Sequence, residues 1–89
     1  MPRTNSPRIT VVVADGLTAD AATASCRQWY MQLATRWALA SRGDVITAFR
    51  AAHAAFARES LTVTPCRARR GQGVRVTGPA SLLAKLDVA

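Results

Sequence analysis

At 89 residues the chain can hold one small domain but not two separate cores. Apolar residues make up 49% of it, yet 18 of the 44 are alanine, so only 26 larger side chains remain and the core must be thin. Twelve Lys and Arg against five Asp and Glu give a net charge of +7, which points to an acidic partner: nucleic acid, anionic lipid or an acidic protein face.

The first residues, Met1 to Pro7, are rich in proline and polar groups and read as a flexible basic arm carrying Arg3, with a single α+β domain over residues 8–89. The apolar run Ile9 to Ala14 is too short for a signal peptide or a membrane span, which sets the expectation of a cytoplasmic protein with no membrane partner. Its β-branched residues do not alternate with polar ones, so it reads as a strand covered on both faces or placed centrally, ending at Asp15-Gly16.

Thr18 or Asp20 can cap the helix that follows, because a short oxygen side chain accepts the free N–H groups of a first turn. This helix is expected to run to about Ser41, with Cys26, Trp29, Tyr30, Leu33 and Trp37 on one stripe. Gly43 breaks it and Asp44 caps a second helix, Val45 to about Arg58, with Val45, Phe49, Ala52 and Phe56 inward. The run Ala51-Ala52-His53-Ala54-Ala55-Phe56-Ala57 is small-sided, which allows close approach by a neighbour, including a homodimer partner. It offers few side chains long enough to read base edges, against a helix-turn-helix.

Leu61 to Ala68 and Val74 to Thr77 read as a hairpin around Gly71-Gln72-Gly73, with a bulge at Pro65. A three-residue loop, Arg70 to Gln72, pairs Ala68 with Val74 and Cys66 with Val76, burying one face and setting Arg67 directly opposite Arg75. After Gly78-Pro79 a short helix carries Leu82, Leu83 and Leu86. The expected fold is therefore β-α-α-β-β-α: a three-stranded, mainly antiparallel sheet packed against two antiparallel helices, with a short C-terminal helix.

The candidate site is the Arg-rich hairpin. Arg67, Arg69, Arg70 and Arg75 offer guanidinium forks that match phosphate or carboxylate oxygens in pairs, and a two-stranded ribbon fits a groove of duplex nucleic acid. Arg3 and Arg8 can add phosphate contacts from the arm. Eleven of the twelve basic residues are arginine, a bias that a GC-rich genome also produces. Trp29, Tyr30 and Trp37 have the spacing of a core stripe rather than of a base-stacking platform.

Catalysis is not expected. The only histidine, His53, lies in an alanine run, and no carboxylates pair on adjacent helical turns. Cys26 and Cys66 read as reduced, buried thiols rather than metal ligands, since no close Cys or His pair accompanies them; no metal and no cofactor are expected. Arg42-Gly43-Asp44 spells an adhesion tripeptide that turn and cap chemistry already explain. The leading expectation is a small non-enzymatic protein that binds DNA or RNA through phosphates. The alternative is a protein-binding module or inhibitor of a larger host complex, of the kind phages and mobile elements encode, anti-CRISPR proteins included, with the same arginine face on acidic residues.

Overall fold

The structure, a computed structural model, describes residues 7–41 and 43–88. Six elements follow one another: β1 (Arg8–Leu17), α1 (Ala19–Ala40), α2 (Val45–Arg58), β2 (Thr62–Ala68), β3 (Gly71–Pro79) and α3 (Ala80–Lys85). The element order and the single antiparallel three-stranded sheet agree with the sequence reading.

Local chemistry sets the helix limits. Thr18 Oγ1 accepts from Ala21 N at 3.1 Å and starts α1; Asp44 accepts from both Thr47 N (3.0 Å) and Thr47 Oγ1 (3.2 Å) and starts α2. At the end of α2 the N–H of Leu61 returns to Phe56 O (2.9 Å) and that of Ser60 to Ala57 O (3.2 Å), with Ser60 left-handed at φ 54°. This is the paired 6→1 and 5→2 closure that glycine usually serves. Asp87, at φ 61°, closes α3 in the same way, with Val88 N on Leu83 O and Asp87 N on Ala84 O.

The helices cover one face of the sheet. Val11, Val76 and Val63 form a cross-strand row under Leu33, Ala34, Ala52, Phe56, Leu83 and Leu86, with Val74 and Val76 at 0% exposure. Phe56 is the hub: Tyr30 and Trp37 meet it edge-on at centroid distances of 5.5 and 5.9 Å. Lys85 Nζ lies 4.1 Å from the Trp37 ring centroid and lids that ring. Trp29 is only half-buried, with Arg36 Cζ 6.0 Å from its ring centroid. Val45, expected inward, is exposed at the start of α2, and Ala48 and Ala55 take the inner positions beside Ala52 and Phe56.

Three expectations are corrected. Strand order is β1-β3-β2, so the β-branched run of β1 lies at an edge and the glycine-bearing β3 is central. The crowding explains it: a Cβ on Gly73 would overlap the carbonyl oxygen of Ala14 and stand 3.2 Å from Ala68 Cβ, so only glycine lets both neighbours close on β3 there. The register shifts lie in β1, between Val12 and Ala14 and again between Ala14 and Leu17, not at Pro65, which takes its place in the edge strand β2 with no register shift. The hairpin register is also different. Ala68 pairs with Gly71, Cys66 with Gly73 and Val63 with Val76, leaving Arg69-Arg70 as a two-residue connection. Leu61 is buried and Val63 packs half-buried against the core at the helix-covered end, whereas Cys66 and Ala68 are half-buried outside that core, so the register follows Leu61 and Val63. Gly71 at φ 145° supplies the backbone freedom of the turn.

Candidate nucleic-acid interface

The observed register redistributes the hairpin arginines. Arg67 stands opposite Gln72, and Arg75 opposite Thr64 and Val12, so the expected Arg67–Arg75 cross-strand pair does not form. Because opposite residues share a face, Arg75 belongs with Thr10, Thr62, Thr64 and Thr77 on the face away from the helices, whereas Arg67 shares the helix-side face with Gln72 and Val74. Arg69 and Arg70 form the tip between them. All four are exposed.

The open face is polar and ordered by hydrogen bonds. Thr10 and Thr77 share one between their hydroxyls at 2.9 Å, and Arg75 Nε donates to Thr64 Oγ1 at 3.1 Å. That bond orients the Arg75 guanidinium across β2 and leaves its terminal nitrogens toward solvent. The threonine alternation, Thr62-x-Thr64 beside Thr77, is the sequence signal for this face.

Acidic residues are nearer the tip than the sequence implied. Between Ser60 and Lys85 there is none, but β1 runs alongside β3 and brings its own end there: a Cβ on Gly16 would stand 3.9 Å from Arg70 Cβ. Asp15 and, in the first turn of α1, Asp20 thus share this end with Arg67, Arg69 and Arg70. The cationic field there is reduced but not cancelled.

Arg8 lies apart from these and is engaged within the fold. Its Nη1 donates to Glu59 O at 2.9 Å and its Nη2 to Ser60 O at 2.8 Å, clamping the closure of α2. It pairs with Pro79, at the opposite end of β3 from Gly71, about 27 Å from the tip at ~3.4 Å per residue. Arg3 and the adhesion tripeptide's Arg42 lie outside the described residues, as does most of the proposed arm; Pro7 is ordered, its carbonyl accepting from Ala80 N at 2.8 Å.

Cys26 and Cys66 are free thiols, half-buried rather than buried. Partial burial, reinforced by the neighbouring Cys66, pushes the Cys26 thiol above its ordinary pKa. With Arg27, Tyr30, Met31 and Val63, Cys26 lines an open groove of about 410 Å³. The Tyr30 hydroxyl and His53 Nδ1 share a 2.8 Å hydrogen bond, their rings stacked 5.4 Å apart, and burial pushes the Tyr30 hydroxyl up in pKa. Among the described residues no three His, Cys, Asp or Glu gather as metal ligands, and no helix is long and apolar enough to cross a membrane.

Sequence reasoning overlooked one surface. Leu39, Val45 and Ile46, exposed at 81%, 63% and 65%, sit at the α1–α2 corner. Leu39 and Ile46 fall off the expected apolar stripes, which was the available signal. Comparison with protein-family models, with curated proteins and with solved structures finds no match to the chain.

Proposed function

We propose that this is a small, non-enzymatic nucleic-acid-binding protein that contacts phosphates through the hairpin, with Arg69 and Arg70 leading, Arg67 beside them and Arg75 on the open sheet face. The observation that carries this reading is the two-residue Arg69-Arg70 tip. A connection that short keeps the ribbon narrow, so the guanidiniums enter a groove ahead of the strands. The arginines serve as phosphate ligands rather than base readers, since the open face has no aromatic ring on which a base could stack. Arg8 belongs to the scaffold in this reading.

The test is fluorescence anisotropy with labelled duplex DNA and duplex RNA at low salt, comparing the parent with an Arg69→Ala/Arg70→Ala variant. The reading expects a loss of roughly tenfold or more, similar for different sequences, from two lost phosphate contacts. Undiminished binding, or none by the parent, removes it. A protein partner is the second reading, favoured by the apolar corner of Leu39, Val45 and Ile46, because patches of that kind commonly mark protein contacts. It predicts no nucleic-acid affinity and loss of the partner on Ile46→Asp.

A further inference from the structure

The strand β1 combines an edge position with the composition of an interior strand. Among the described residues it has a strand neighbour on one side only, β3. Its run Ile9-Thr10-Val11-Val12-Val13-Ala14 is nevertheless β-branched almost throughout, with Thr10 its one polar residue, as in strands flanked on both sides. The helices do not make up the difference, since α1 lies mainly over β2 and β3. Ile9, Val11 and Val13 face the core but are only half-buried, and Val12, on the other face, is 54% exposed.

Edge strands normally carry features that block further pairing, chiefly Lys or Arg, Pro and bulges. The other edge, β2, has two of them, the exposed Pro65 and Arg67. β1 has bulges, at Val13 and again between Ala14 and Leu17, the second lying beyond the apolar run, but neither Pro nor a basic residue within that run. In a chain with twelve basic residues none falls between Ile9 and Leu17, and the one charge in that stretch is Asp15. The Arg8 guanidinium at its start is folded back onto the carbonyls of Glu59 and Ser60. This is therefore the sheet edge along which two copies, each at +7, can approach with least repulsion.

We propose that β1 pairs antiparallel with β1 of a second copy, joining two three-stranded sheets into one of six strands. Opposite residues must share a face, so residues 9, 11 and 13 meet their own kind and the two-fold axis passes through a residue rather than between two. The middle of the apolar run places it at Val11. Ile9 then pairs with Val13 of the second copy and Thr10 with Val12, covering the side chains the helices leave half-open. The two Arg69-Arg70 tips fall at opposite ends of the joined sheet, about 40 Å apart at ~3.4 Å per residue. The pairing itself does not rest on the nucleic-acid reading.

Sedimentation equilibrium of the full chain without nucleic acid, in about 0.3 M salt to screen the like charges, tests it from low to high micromolar concentration. The expected result is a rise from the 9.5 kDa monomer to twice that mass, with Val12→Lys weakening association at least tenfold at unchanged circular dichroism. Thr64→Lys, on β2, should leave it intact. A second readout keeps the test independent of Val12→Lys folding. In a Cys26→Ser/Cys66→Ser background, diamide should cross-link Val11→Cys through a disulfide, since directly opposite residues have Cα atoms ~4.5–5.5 Å apart, within disulfide reach. A monomer at every concentration, a dimer indifferent to Val12→Lys, or no cross-link at Val11→Cys overturns the proposal. Loss of nucleic-acid binding with an intact dimer overturns only the functional reading.

Discussion

Gly73 is the position where a single added methyl group should do most damage. It is fully enclosed in the central strand, opposite Cys66, and a Cβ there would overlap the Ala14 carbonyl oxygen while standing 3.2 Å from Ala68 Cβ. The first of these is backbone, held by the β1–β3 pairing next to the bulge, so relief requires β1 to move outward rather than a side chain to rotate. Overpacking of this kind costs about 1–3 kcal/mol, and loss of local ladder bonds brings Gly73→Ala to roughly 3 kcal/mol. In a domain of this size each kcal/mol lowers the Tm by about 4–8 °C, so the expected drop is on the order of 12–24 °C. Gly78→Ala is the internal control. It lies in the same strand, but the added Cβ would meet Leu61 at an ordinary 3.7 Å, and the smaller conformational freedom of the unfolded chain offsets any cost. Differential scanning calorimetry of both variants decides the matter. If Gly73→Ala melts within about 3 °C of the parent, or Gly78→Ala falls as far, then close approach of β1 does not explain why β3 is central.

Three further outcomes follow from the packing. Trp37→Ala should cost about 3–5 kcal/mol because its ring packs edge-on against Phe56, whereas Trp29→Ala, half-exposed beside Arg36, should cost less than half of that; equal losses in urea denaturation would contradict the core assignment. Ser60→Gly should stabilise by about 0.5–1 kcal/mol, since φ 54° is strained for serine and free for glycine; an unchanged or lower Tm would refute it. Stability should decline as pH rises past about 9, because the unfolded chain releases the Cys26 and Tyr30 protons near the ordinary 9.0 and 10.0 while the folded state, where both pKa values are raised, still holds them. That contribution is fully present below pH 9; a Tm flat to pH 11, or a decline unaffected by Cys26→Ser and Tyr30→Phe, would count against it.

Element order and helix limits were legible because local chemistry specifies them: Thr18 and Asp44 as caps, Gly43 as a break, and the Tyr30, Leu33, Trp37 spacing. Strand order was not. Apolar, β-branched composition suggested that β1 was interior, yet the central place went to β3, whose Gly73 admits the close approach of both neighbours. The hairpin register failed for a related reason. Cys66 and Ala68 alternate with arginines and look like a buried face, but the helices cover the other end of the hairpin, at Leu61 and Val63, and burial there fixes the pairing. Which arginines are exposed was readable from composition; which face each occupies depended on that register. The second duty of Arg8, as a clamp on backbone carbonyls 51 and 52 residues away, has no local signature.

The most direct test of the nucleic-acid reading is the salt dependence of duplex binding by the parent, by a variant with Arg67, Arg69, Arg70 and Arg75 all replaced by alanine, and by Arg8→Ala. Each phosphate contact contributes a slope of about 0.9 in log affinity against log salt, so the quadruple variant should lose between three and four units of slope while remaining folded. Arg8→Ala should bind with the parent's slope and melt lower. A quadruple variant that keeps the parent's affinity and slope, or an Arg8→Ala variant that alone loses them, would contradict the assignment of the hairpin as the binding surface.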